Sequence, residues 1–258
     1  MIVFPELFRW FTGLQVWWPD DAAQVARLLA AAPLVSVMQC NERVAEGLRS
    51  YAFRYRPFQT LLVDLGLPEP ELWRSIDPKG RSLINKGGRL GCRVLVNEQT
   101  DAARALINAF MQRRGFRSPL SAAEWEHLRE RCDVCLAEHD GRAWAAAIVL
   151  LDPPRRARLL YAATAGRADP RSRSLVGPFN RYLFWQQFMH YQARGIRSYD
   201  LGGLELDPAS PFHSITRFKL SFGGTVVTEH KLRLAGNTLV RSLLRGAAAV
   251  RTAWRACQ

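Results

Sequence analysis

The chain has 258 residues, 48% of them hydrophobic, enough to bury a sizeable core without disulfide or metal staples. Its 36 Lys and Arg against 23 Asp and Glu leave a formal charge of +13. Polyanions are therefore attracted at low salt, but the charge alone does not choose among tRNA, nucleotide-linked sugars, coenzyme A phosphates and anionic lipid. Apolar runs such as Ala143 to Leu151 fall well short of the roughly 20 residues that a bilayer span needs.

Met1 to Glu6 lacks the basic, then apolar, then small-residue pattern of a secretion signal. The five cysteines, Cys40, Cys92, Cys132, Cys135 and Cys257, are odd in number and scattered, which suits a reducing cytoplasm.

In chain order, Asp20 or Asp21 can cap a helix over Ala22 to Ala31. Leu34 to Met38 and Thr60 to Leu65 read as strands, and Pro68 and Pro70 precede a helix through Leu72 and Trp73. Lys79 to Gly91 is basic and Gly-rich, and two readings stay open: a backbone that approaches a phosphate, or a helix end followed by a turn. A strand over Cys92 to Val96 and a helix from Thr100 through Phe110 follow, then a polar stretch from Ser118 to Arg131.

Asp133 to His139, the pair Asp140-Gly141 and Ala143 to Leu151 predict a hairpin, because Asp-Gly readily takes the positive φ angles of a tight turn. Ala157 to Thr164 offers a third strand, Leu175 to Ala193 an aromatic-rich helix that Gly195 can terminate, Ser198 to Leu201 a short strand and Thr225 to Leu234 the last. Three antiparallel strands, a helix and two further strands make an α+β fold with a mixed, mainly antiparallel sheet and helices on its faces.

At Tyr199-Asp-Leu-Gly-Gly203 and Arg217-Phe-Lys-Leu-Ser-Phe-Gly-Gly224 the sequence resembles the second domain of the FemAB family and related GNAT-like acyltransferases. The likeness covers Leu90 to Leu234 best, and Arg81-Ser-Leu-Ile-Asn-Lys86 resembles the basic segment that precedes that domain. The resemblance implies a reduced first GNAT-like portion over 1–93, a GNAT-like catalytic domain over 94–236 and a basic C-terminal helix over 237–258. It further implies transfer of an acyl or aminoacyl group onto an amine, with acyl-CoA or aminoacyl-tRNA as co-substrate and no permanently bound cofactor. The acceptor would be an amino sugar or peptide of a cell-envelope precursor, possible also in lipid-linked form.

Acyl transfer needs a deprotonated amine, a pocket that aligns both partners and donors for the developing oxyanion. The family pattern places Lys219 near the reacting groups, where its charge would stabilise an oxyanion or a leaving oxygen; the alternative is a surface lysine on a helix before a strand. Asp200, at a strand end before two glycines, is either the group that orients the amine or accepts its proton, or an ordinary turn residue. The same pattern assigns Phe218, Tyr199, Arg217 and Lys86 to substrate binding. Tyr161 would lie near the acyl pocket if the strand order holds. His213 sits with Glu205 and Asp207 in the loop between the two motifs, a place for acceptor contacts or for plain solvent exposure.

Arg155, Arg156, Arg158, Arg167, Arg171 and Arg173 cluster around the third strand and the loop after it. In a GNAT-like fold a pyrophosphate is bound there, which makes Arg167, Arg171 and Arg173 the donor-binding candidates. The usual Arg/Gln-x-x-Gly-x-Gly/Ala signature is absent, which points away from an ordinary acetyl-coenzyme A site. Cys132-Asp-Val-Cys135 has ligand-like spacing but no second pair, so no metal site is expected.

From Asn237 to Cys257 apolar residues alternate with Arg241, Arg245, Arg251 and Arg255, which reads as a helix packed on the domain or as peripheral contact with the inner face of an anionic membrane. Two further readings stand beside the N-acyltransferase: an aminoacyl-tRNA-dependent transferase of the peptidoglycan type, and a non-catalytic tRNA- or glycan-binding protein of the same fold.

Overall fold

The computed structural model describes residues 1–7, 12–115, 119–166 and 170–244. The chain forms two compact units: Leu61–Val226 is continuous, whereas the other joins Met1–Thr60 to the stretch that begins at Val227. These limits differ from the expected ones at 93/94 and 236/237, because the Gly-rich segment is not a break in the chain.

In the first unit, β1 (Ile2–Leu7) and β2 (Thr12–Trp17) pair antiparallel. Asp21 caps α1 (Ala22–Ala31), accepting from the Gln24 amide at 2.8 Å, and the helix buries Val25 and Leu29. Next come β3 (Leu34–Cys40), a short α2 (Glu42–Gly47) capped by Asn41, and β4 (Ala52–Asp64), which runs on into the second unit. β10 (Thr225–Ala235) returns antiparallel to β3, with His230 opposite Cys40 and Leu234 opposite Val35. The strand order in this unit is β1-β2-β3-β10-β4.

The second unit has the order β4-β9-β8-β7-β6-β5. β5 (Arg93–Val96), β6 (Cys132–His139), β7 (Arg142–Asp152) and β8 (Arg156–Thr164) pair antiparallel, and β9 (Ser198–Gly203) joins β8 in parallel. Asp140 and Gly141, at φ of 52° and 71°, turn β6 into β7 as the Asp-Gly pair predicts. The fold is α+β with a mainly antiparallel sheet.

β6 and most of β7 are buried on both faces, hence the consecutive apolar residues Val134 to Ala137 and Ala143 to Leu151 where a half-exposed strand would alternate. One face of the strands receives α7 (Pro170–Ala193), whose Phe179, Leu183, Phe184, Phe188 and Tyr191 join Cys135, Ala145, Ala147 and Leu159 in one core. The helices α5 (Thr100–Arg114) and α6 (Ala122–Arg129) bury Ala103, Ile107, Met111 and Trp125. A Ser121/Glu124 capping box starts α6 inside the stretch that reads merely as polar in the sequence.

α3 (Glu69–Ser75) and α4 (Pro78–Arg89) precede the strands, and α4 packs along α7. The Gly-rich segment is therefore a helix to Arg89 followed by a turn at Gly91 (φ 73°), and Gly87 and Gly88 serve close approach of two helices. A Cβ at Gly87 would stand 2.8 Å from the Tyr182 Cβ and 2.9 Å from the Pro178 carbonyl oxygen. Gly87→Ala gains about 1 kcal/mol of helix propensity, yet it forces these backbones apart. We expect a net loss of up to about 2 kcal/mol, since overpacking costs about 1–3 kcal/mol, read as a lower unfolding midpoint in denaturant. Gly88→Ala, whose Cβ meets only the Tyr182 ring at 3.2 Å, should be milder.

Candidate active site

β8 and β9 are paired over three residues only, Arg156 with Ser198, Ala157 with Tyr199 and Arg158 with Asp200. β8 continues to Thr164, still paired with β7, and β9 to Gly203, but the two do not pair further with each other, and a register shift opposite Ile148 and Val149 bends β8 at this point. The strands thus part, and a cavity of about 700 Å³ opens between them. Leu159, Leu201, Phe184, Ile215 and Phe218 give it an apolar floor, Ala162 to Gly166 and Gly202-Gly203 give backbone walls, and Arg113, Arg114, Arg158 and Lys219 bring positive charge.

Lys219 comes from α8 (His213–Leu220), a helix before a strand, whose first residues lie where the sequence suggests a loop. Its Nζ donates to the Gly203 carbonyl at 2.7 Å, and no carboxylate stands within ion-pair distance of it among the described residues. Burial, and then the Arg158 guanidinium, push its pKa from 10.5 down to about 8 against the opposing pull of Asp200. Gly202 has φ +81°, and a Cβ there would lie 3.6 Å from the Lys219 Nζ and 3.8 Å from an Arg158 nitrogen. A Cβ at those distances would make ordinary contact, so it is the positive φ of this turn beside both cations that calls for glycine.

Asp200 is fully buried and lies behind that wall. One carboxylate oxygen accepts from the Gly202 amide at 2.7 Å; the other pairs with Arg158 at 2.8 Å and Arg156 at 3.4 Å. Its contacts place it as a support for Arg158 and the Gly202 turn. Tyr199 points the opposite way along β9, as strand alternation requires, into the core between Phe188 and Tyr191, and donates to Gln187 at 2.5 Å.

The structure thus brings Lys219 and Phe218 together in the cavity, with Asp200 and Arg158 against it. Tyr161, His213, Arg217 and Lys86 are not among the residues that line it: Tyr161 is half-buried on β8, His213 starts α8, and Arg217 and Lys86 are exposed on α8 and α4. Arg173 is exposed in the first turns of α7, while Arg167 and the Arg171 side chain lie outside the described residues. The cavity adds Arg113, Arg114, Asn180 and Ser214, which sequence reasoning missed; a basic pair in the last turn of a helix reads as a complement to the helix dipole. Among the described residues that line it there is no Asp, Glu, His or Tyr, so the wall offers no carboxylate, imidazole or phenolate base for an amine.

The sequence pattern of the acetyltransferase (GNAT) domain matches residues 79–219, more than half of the chain. The chain belongs to the GNAT acyltransferase family. This GNAT match begins in α4 and ends on Lys219. No curated protein matches the sequence.

Among solved structures, FemX is similar at a TM-score of 0.65 with 11% identity, over 88% of this chain and 83% of that one. The C-terminal domain of a putative lysylphosphatidylglycerol synthetase from Agrobacterium fabrum is similar at 0.60 with 17% identity, over 96% and 84%. L-PGS from Bacillus licheniformis is similar at 0.55 with 15% identity, over 90% and 81%. At such identities these likenesses concern the GNAT fold. Among the described residues no helix is long and apolar enough to cross a membrane.

Proposed function

We propose that this acyltransferase joins an activated acyl or aminoacyl group to an amino group on a cell-envelope precursor or polysaccharide sugar. The observation that carries the reading is the placement of Lys219, aimed into the opening between β8 and β9 and held there by Gly203. The acceptor nitrogen attacks the donor carbonyl carbon; a C–N bond forms and the donor's C–S or C–O bond breaks. The amine proton passes through water or substrate to the leaving sulfur or oxygen, in keeping with a described wall that has no carboxylate or imidazole. Lys219 stabilises the oxyanion or the leaving oxygen, Arg113 and Arg114 receive donor phosphates, and Asp200 positions Arg158.

Aminoacyl-tRNA as the donor is supported by the missing Gly-rich signature after β8 and by the charge of +13. The name of one similar structure, a lysylphosphatidylglycerol synthetase domain, supports a lipid acceptor. Peripheral membrane contact is supported by the start of the C-terminal segment, where Leu239 and Leu243, one helical turn apart, are 76% and 75% exposed beside Arg241. The remainder of that segment lies outside the described residues.

The test is a thermal-shift and native mass-spectrometry screen against acyl-coenzyme A species, charged tRNA and nucleotide-activated amino sugars. A donor at about 100 times its Kd adds about 2.7 kcal/mol, so one donor class should raise the melting temperature by several degrees. No stabilisation by any donor would overturn the enzyme reading in favour of a non-catalytic tRNA- or glycan-binding role.

A further inference from the structure

A second concave site of about 490 Å³ lies between α3, α4 and α7, on a part of α7 that does not line the acyl cavity. Trp73, Tyr182 and Trp185 form its aromatic surface, and Glu69, Asn85 and Gln186 bring polar ends into it. Trp185 is 7% exposed and meets Trp73 edge to face, at 5.0 Å between ring centres, which fixes the orientation of Trp73. Gly88 keeps one end open, because even a Cβ there would come within 3.2 Å of the Tyr182 ring.

The three polar side chains decide what the groove is for. Glu69 and Asn85 are exposed and Gln186 half-buried, and among the described residues none of the three makes a side-chain hydrogen bond or ion pair within the chain. Together they offer one carboxylate acceptor and two amides, each of which both donates and accepts. No Lys or Arg lines the groove, which disfavours a phosphate or carboxylate ligand, and a lone carboxylate without imidazole or thiolate disfavours a metal. An acyl chain would leave the amides unmatched.

We infer that the groove binds a neutral saccharide, its C–H face against the aromatic rings and its hydroxyl or acetamido groups on Glu69, Asn85 and Gln186. The inference stands apart from the donor and acceptor assigned to the cavity.

The test is a titration of the full chain, followed by ligand-observed NMR and calorimetry, with the N-acetylglucosamine trimer, cellotriose and adenosine. The same titrations are run on the double variant Asn85→Ala/Gln186→Ala. Neither side chain has an internal partner, so the variant should keep the wild-type melting temperature. At least one saccharide is expected to bind saturably, and the variant to bind it about tenfold more weakly, the effect of losing two modest hydrogen bonds. Acyl-donor affinity should not change. Binding of neither saccharide, unaltered saccharide affinity in the variant, or binding of adenosine alone would each overturn the inference. Saccharide binding without any donor binding would uphold it while overturning the proposed transferase activity.

Discussion

Lys219→Ala should lower kcat by about 10²–10³, the usual effect of removing one preorganised donor from a developing oxyanion, while the protein stays folded. Its Nζ makes one hydrogen bond, to Gly203, so two of the three ammonium donors remain for the substrate. The charge also carries a pH signature. With its pKa lowered from 10.5 to about 8, Lys219 is cationic below about 8 and neutral above it. Activity should rise with pH as the acceptor amine loses its proton, then fall as pH passes about 8 and Lys219 loses its own.

Stability should move the other way. Below about 8 both folded and unfolded states hold the proton and the full penalty of the depressed pKa is present; between about 8 and 10.5 the unfolded state binds more protons, so the fold gains stability as pH rises. Lys219→Arg is the informative second variant. It keeps a cation at all these pH values, so it should retain part of the activity and lose the alkaline fall. An unchanged alkaline limb in Lys219→Arg, or full activity in Lys219→Ala, would remove Lys219 from the chemistry.

Asp200→Ala is expected to produce the largest loss of stability, roughly 3–5 kcal/mol, the range for breaking a buried ion pair by removing one partner. The carboxylate is fully buried and shared by Arg158, Arg156 and the Gly202 amide, so its removal leaves two guanidinium groups near each other without the anion between them. At about 2–4 °C per kcal/mol for a chain of this size, the melting temperature should drop by roughly 6–20 °C.

Asp200→Asn keeps an oxygen for the Gly202 amide and should cost less stability. Because Asp200 raises the Lys219 pKa, losing its charge should shift the alkaline limb of the activity profile below about 8. A limb that stays in place would separate Asp200 from Lys219 electrically; a stable Asp200→Ala would show that the two arginines do not need it.

The parts of the fold legible in the sequence are those whose physics is local. The β6–β7 hairpin announces itself through two apolar runs about an Asp-Gly pair, and α1 through an Asp cap with apolar residues at helical spacing. α6 was equally available, since Ser121-Ala-Ala-Glu124 is a capping-box sequence, but its polar residues hide a helix that buries little beyond Trp125. α8 is harder to find, being eight residues long with Thr216 its sole buried residue and Pro208 and Pro211 just before it. β1 and β2 acquire their identity by pairing with each other, and β2 by pairing with β3, which no local pattern states.

At the site, motif spacing reaches Lys219 and Phe218, yet strand alternation sends neighbours in opposite directions. Tyr199 goes into the core and Asp200 to the back of the cavity wall. That Asp200 meets Arg158 follows from a parallel register between β8 and β9, and that Arg113 and Arg114 reach the cavity follows from where α5 lies. Both facts belong to tertiary structure.

The strand that completes the first sheet arrives late. Gln39 of β3 bonds Glu229 of β10 across a separation of 190 residues, and β10 lies between β3 and β4 in that unit. A ribosome adding about 5–20 residues per second needs roughly 10–40 seconds to cover that distance. During synthesis β3 therefore emerges with its β10-facing edge open, a template for unwanted pairing, while Leu61–Val226, continuous in sequence, can close its own core before the missing strand has been made.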